Sequence, residues 1–196
     1  MNHYLLPVIG HLDEAEGSSA FSYENCPNCG SPRRVQHRDL RLRVVDSPAP
    51  RVTTTMAGDL LVPAEAIPRL EALGAAIDTR PARLDGDNES NWVQVIPRAS
   101  VVLSVGSLRG PGVRCDLCGG VARVQFGDYP PLRLAPTPGS PPPIARIEGA
   151  PSMLVLSEVV LDLLQDFGPR LEARPMLQQE EPALPVTSSN SNWSDL

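Results

Sequence analysis

All four cysteines of this 196-residue chain fall in two matched pairs. Residues 26–36 read CPNCGSPRRVQ and residues 115–125 read CDLCGGVARVQ. Cys26, Cys29 and Gly30 thus recur as Cys115, Cys118 and Gly119, while Arg34, Val35 and Gln36 recur as Arg123, Val124 and Gln125. A Cys-x-x-Cys loop turns two thiolates to one side and supplies half of a tetrahedral site with Zn–S distances near ~2.3 Å. Glycine after the second cysteine tolerates positive φ, so the loop can curl and aim backbone N–H groups at the sulfurs. Two such pairs, using every cysteine, predict one structural four-cysteine zinc site held by Cys26, Cys29, Cys115 and Cys118.

The 85 residues between Cys29 and Cys115 exceed the ~15–20 of a compact ribbon. Loop closure costs only about 0.6 kcal/mol per doubling of length. Zinc binding contributes ~10–16 kcal/mol in small peptides, so the longer loop is tolerable. The ion then joins two halves, and the chain between them is an insertion. Disulfides are the alternative that export would favour. A redox pair is disfavoured, because neither pair lies between a strand and a helix start that would lower a thiol pKa. Catalytic zinc keeps an open position and leans on His or Glu. His37, eight residues past Cys29, could join the site only by displacing a cysteine.

The match continues beyond the cysteines. Residues 60–74, LLVPAEAIPRLEALG, set against residues 153–168, MLVLSEVVLDLLQDFG, place Leu61, Val62, Glu65 and Leu70 over Leu154, Val155, Glu158 and Leu163. Each half reads as a knuckle, a strand, a linker and a short strand entering a helix, which is an internal repeat. In the second unit Ser157 is a natural N-cap and Glu158 suits the positive helix start. Val159, Val160, Leu163, Leu164 and Phe167 recur at helical spacing. Gly168 is expected to close the helix in the left-handed conformation, and Pro169 prevents continuation. In the first unit Pro63 sits harmlessly near the helix start, whereas Pro68 falls after the first turn and is expected to weaken or kink it.

Residues 91–110 read as two strands meeting at Pro97, and residues 33–45 and 122–126 as strands leaving each knuckle. Seven prolines between positions 130 and 143 predict an extended loop. The expected fold is α+β: two strand-helix repeats of mostly antiparallel strands joined by a split zinc-ribbon-like site of four cysteines. Its parts are an N-terminal strand segment over 1–25, repeat one over 26–84, connecting strands over 85–114, repeat two over 115–177 and a flexible tail over 178–196.

Composition narrows the function class. Hydrophobic residues make up 41% but aromatic ones only 4%, so Leu, Val, Ile and Ala must build the core. Twenty-two prolines favour loops over helices. No apolar run nears the ~20 residues of a bilayer span, which predicts no membrane association. The first residues lack a basic segment and turn acidic at Asp13, Glu14 and Glu16, so no signal peptide is read and a cytoplasmic location is expected. Net charge is -6, and all 17 cations are arginines, a bias that GC-rich codons explain most simply. A net negative chain is a poor default binder of nucleic acid and suits a basic protein partner.

One basic stretch runs against that balance. Arg33, Arg34, Arg38, Arg41 and Arg43 lie together with His37 and could contact an anionic partner. They define the alternative reading, a zinc-ribbon nucleic-acid-binding or transcription-associated factor. A solvated strand face is the simpler account, since no aromatic residues interleave the stretch for base stacking. Residues 85–90, DGDNES, begin like a calcium loop but place Ser90 at the sixth position and Ile96 at the twelfth, so that reading is rejected. The Asn-x-Ser matches at 88–90 and 192–194 would matter only with export. No phosphate loop, nucleophile elbow or HExxH occurs, and His3, His11 and His37 have no evident acid or nucleophile beside them. A non-catalytic protein is expected.

Cys26-Pro27-Asn28-Cys29-Gly30, Cys115-Asp116-Leu117-Cys118-Gly119 and the LLV…E strand-helix unit resemble the double-CxxCG motif family. These are small bacterial proteins that occur as many paralogues in myxobacteria, and some are immunity proteins that protect a cell from polymorphic toxins of its siblings. The resemblance covers about a third of the chain. It implies a metal-held scaffold that binds another protein, as an antitoxin binds a toxin domain. An acidic surface would speed association with a basic toxin, with residues 85–89 or the neighbourhood of the C-terminal helix as candidate contacts.

Overall fold

Four consecutive buried residues, Leu60–Pro63, are the clearest sign of how this chain is built. A strand buried on both faces must lie between two layers, and its side chains alternate between them. Leu60 and Val62 enter one apolar cluster and Leu61 another. The second strand-helix unit behaves alike, with Leu154 and Leu156 in the first cluster and Val155 in a third.

The computed structural model describes residues 2–6, 12–15, 20–30, 32–45, 50–85, 92–103, 113–117, 121–122, 132–135, 139–148, 150–168, 171 and 173–178. The first half holds strands β1 (His3–Leu6), β2 (Leu12–Glu14), β3 (Phe21–Asn25), β4 (Pro32–Gln36), β5 (Leu40–Val44), β6 (Thr53–Thr54) and β7 (Leu60–Pro63). A single 3-10 turn, Ala64–Ala66, leads into helix α1 (Ile67–Ala72) and strand β8 (Ile77–Leu84). Next come β9 (Trp92–Pro97), β10 (Ser100–Val101), β11 (Val113–Arg114), β12 (Val121–Ala122) and β13 (Arg133–Leu134). The chain then forms β14 (Ile144–Ile147), β15 (Ala150–Ser157), α2 (Glu158–Gln165) and β16 (Arg174–Gln178).

The fold is α+β, mostly strands with two helices among the described residues, and nine of the twelve described ladders are antiparallel. One six-stranded sheet runs β2-β5-β8-β9-β7-β6 and the other β10-β14-β15-β1-β16-β13. Two separate hairpins, β3-β4 and β11-β12, carry the cysteine loops. The sheets have interiors of their own: Leu12, Leu40, Leu42, Leu61 and Ala82 in the first, and Leu5, Val101, Leu134, Ala145, Val155 and Met176 in the second. Between them lies a larger shared core that takes Leu6, Leu60, Val62, Val95, Leu154 and Leu156 from strands, and Leu70, Val160, Leu163 and Leu164 from the helices. Arg69 of α1 reaches Asp166 just past α2 at 2.7 Å and lies over the Phe167 ring, which joins the helices across this seam. No helix among the described residues is long and apolar enough to cross a membrane.

Several local expectations hold and others are corrected. Ser157 caps α2, its hydroxyl accepting from the Val160 N–H at 3.4 Å. Pro68 does not kink α1, because a 3-10 turn precedes the helix and leaves the proline in its first turn, where no N–H is needed. Gly168 lacks the left-handed φ; α2 instead tightens, with Asp166 and Phe167 N–H groups donating three residues back to Leu163 and Leu164. Residues 33–45 form two strands rather than one, broken between Gln36 and Leu40. The proline-rich stretch 130–143 is not wholly loop, since β13 within it pairs parallel with β16. Pro169, His11 and the tail beyond Gln178 lie outside the described residues.

At Gly58 the halves approach backbone to backbone. Its φ is +82°, and a Cβ there would sit 2.2 Å from the Ser152 carbonyl oxygen of β15. Gly139 has a similar φ of +86° but open space around the same position. Gly58→Ala is therefore expected to lose well over ~1 kcal/mol of stability, and clearly more than Gly139→Ala, in urea titrations. Equal midpoints for the two variants would show that the approach to Ser152 does not constrain this turn.

Candidate metal centre

Register in the two small hairpins fixes equivalent loops. Asn25 pairs with Pro32 at the end of β3-β4, leaving residues 26–31 as the loop. Arg114 pairs with Val121 at the end of β11-β12, leaving residues 115–120. Both loops have six residues with cysteine at the first and fourth positions. Gly30 takes a φ of 66°, as its place after the second cysteine requires, and its N–H donates to the Cys26 carbonyl at 2.8 Å.

The loops meet. Cys26 and Cys115 are buried and Cys29 is partly so, and their three sulfurs all lie within 4.8 Å of one another. Cys26 Sγ and Cys115 Sγ are 3.8 Å apart, and none of the three residues forms a disulfide. That separation is too long for an S–S bond near ~2.05 Å. It matches the edge of a tetrahedron of sulfurs about a metal at ~2.3 Å, which is ~3.8 Å. Cys118 lies outside the described residues; its place in the sequence is the fourth position of the second loop, as Cys29 is of the first. The Asn28 amide donates to Cys115 Sγ at 3.3 Å, from one loop to the sulfur of the other. The corresponding residue of the second loop is Leu117, exposed and without a donor. Three soft sulfur donors suit zinc, copper(I) or iron–sulfur chemistry rather than a hard cation.

Other candidate residues lie elsewhere. Ser22 Oγ and His37 Nε2 are 2.6 Å apart at the end of the β3-β4 hairpin opposite the cysteine loop. Five residues of strand, ~16 Å, separate that end from the centre. His37 is therefore not a ligand. His3 is buried in β1. Of the arginine stretch, Arg41 pairs with Asp85, and Arg43 pairs with Asp13 at 3.1 Å. Arg38 is exposed between strands, and Arg33 and Arg34 lie on β4. The rest of the acidic segment at 85–89 lies outside the described residues, as do Gly119, Arg123, Val124 and Gln125.

A buried polar network lies on the first sheet. Gln36 Nε2 donates to Gln94 Oε1 at 2.8 Å, and Gln94 Nε2 donates to Asp59 Oδ1 at 3.0 Å. Asp59 Oδ2 accepts from the Thr55 hydroxyl at 3.0 Å, and that hydroxyl accepts from the Asp59 N–H. Gln94, Asp59 and Thr55 are buried, so each bond satisfies a group that water cannot reach. The signals were there: a glutamine in the middle of WVQVIP, and the glutamine that follows each knuckle.

Asn28→Ala is expected to weaken metal binding roughly 10–100-fold, the usual effect of removing a hydrogen bond to a ligand. Leu117→Ala is expected to leave it unchanged. Competition of each variant with a chromophoric chelator for Co2+ measures both, and equal affinities would remove Asn28 from the centre. Comparison of the chain with protein-family models, with curated proteins and with solved structures gives no match.

Proposed function

We propose that this chain is a non-catalytic protein-binding module whose two cysteine loops are held together by one structural zinc ion, as an immunity protein that neutralises a toxin domain by direct contact. The convergence of Cys26, Cys29 and Cys115, drawn from loops 89 residues apart, supports the zinc reading most directly. Cys118 completes the four-thiolate set in this reading. The ion would supply cohesion and no reactive position, because four protein sulfurs leave no place for water or substrate. Reduced thiols of this kind belong in the cytosol.

Charge supports a protein partner over nucleic acid. The chain carries a net -6, and Arg41 and Arg43 are each matched to a carboxylate. An acidic binder meets a basic toxin faster at low salt, and the association rate should fall as ionic strength rises. Pull-down from the native host, followed by co-expression with the captured protein, tests this reading. Rescue of growth would support it. Duplex DNA or RNA affinity tighter than ~10⁻⁴ M at physiological salt would favour the arginine-strand alternative instead.

Elemental analysis is expected to give one zinc per chain, and Co2+ substitution the absorption of a tetrahedral thiolate site. Cys26→Ser and Cys118→Ser should each lose the metal and melt roughly 10 °C lower, equivalent to ~3 kcal/mol for a chain this size. A metal-free wild type, or variants that melt with it, would exclude the zinc reading.

A further inference from the structure

The two sheets follow one circular plan. A parallel bridge between Leu12 and Thr55 returns the first sheet from β6 to β2. An antiparallel bridge between Leu103 and Leu134 returns the second from β13 to the chain leaving β10. Read from the strand after each cysteine hairpin, the first circle is β5, β8, β9, β7, β6, β2, and the second is β13, β16, β1, β15, β14, β10. Directions agree at every step: parallel, then three antiparallel, then parallel, then antiparallel. Both helices occupy the same place, with α1 crossing from β7 to β8 over β9, and α2 crossing from β15 to β16 over β1.

Only one correspondence breaks chain order. β9 follows β8 directly, but its counterpart β1 stands at the front of the chain, far from β16. We infer that residues 12–97 and residues 100–178 are two copies of one closed six-stranded unit, and that β1 is the final strand of the second copy, carried at the N-terminal end. The register fits this origin. His3 pairs with Met176 and Leu5 with Arg174, so the end of β16 runs out beside the start of β1. β8 and β9 are joined at the same point of the circle, where Ala82 pairs with Trp92.

β1 is thus a strap. It fills the middle of a sheet whose other strands come 94 or more residues later, with Leu5 in that sheet's interior and Leu6 in the shared core. Each copy then contributes one cysteine hairpin to the centre between them. Strand order alone carries this origin, whatever ion the thiols hold.

A circular permutant tests it: residues 2–11 are moved from the front to follow Gln178 through a short glycine-rich linker. The permutant should give one cooperative transition within ~5 °C of the parent chain ended at residue 178. A chain merely lacking residues 2–11 should lose that transition. Amide exchange on full-length Leu5→Pro, which breaks pairing on both sides of β1, supplies a second readout. Protection should fall in β15 and β16 and persist in β7, β8 and β9. A permutant as disordered as the deletion, or exchange that rises equally in both sheets, would overturn the inference.

Discussion

Burial of both faces of β7 and β15 is the constraint from which the rest of the architecture follows. An apolar strand covered on one side only would leave Leu61 and Val155, or else Leu60, Val62, Leu154 and Leu156, in water. Each such side chain contributes ~1.5–3 kcal/mol when removed from solvent. The alternation of these six residues between sheet interior and seam therefore demands three apolar layers. The helices are short because their task is narrow. α2 turns Val160, Leu161, Leu163 and Leu164 into the seam, and α1 turns Leu70 into it.

Two polar devices fix how the layers meet. The Gly58 turn lies against the backbone of Ser152, a contact with no room for a side chain, so the halves are held at one separation there. The Gln36, Gln94 and Asp59 chain ties the strand leaving the first knuckle to β9 and then to the turn before β7. Removing a middle member would strand buried partners, at about 1–3 kcal/mol each. A polar path of this kind specifies register, since slipping β9 by one residue would turn Gln94 to the opposite face.

Much of this was legible in the residues, for reasons that can be named. The cysteine pairs and their glycines carry fixed chemistry, so their convergence could be anticipated across 85 intervening residues. Ser157 and the apolar run before it announced α2 because a cap and a helical period are local signals. Long-range pairing left no such trace. β13 is two residues in a proline-rich stretch, and its strand character comes from pairing with β16 and from the bridge to Leu103. Nothing in HYLL points to residues 154–157 or 174–176, because its apolar side chains would suit any buried position. The sense of Pro68 depended on a preceding 3-10 turn that shifts the helix start, and boundaries of that kind are among the least readable features of a sequence.

The division of labour between core and cysteine centre follows from where each one lies. The seam and both sheet interiors are apolar and continuous without any help from the thiols. Hairpins β3-β4 and β11-β12 stand apart as two-stranded sheets, a form that is marginally stable in water on its own. Among the described residues they meet at the sulfurs, with Asn28 of one loop bonded to Cys115 of the other. An ion there would order the two loops and, by joining them, add cohesion between the halves that each loop leaves. Because Leu117 holds the place in the second loop that Asn28 holds in the first, Cys115 receives a hydrogen bond for which Leu117 can offer no counterpart to Cys26. The two loops thus differ at the point where they touch, with the donor on the first.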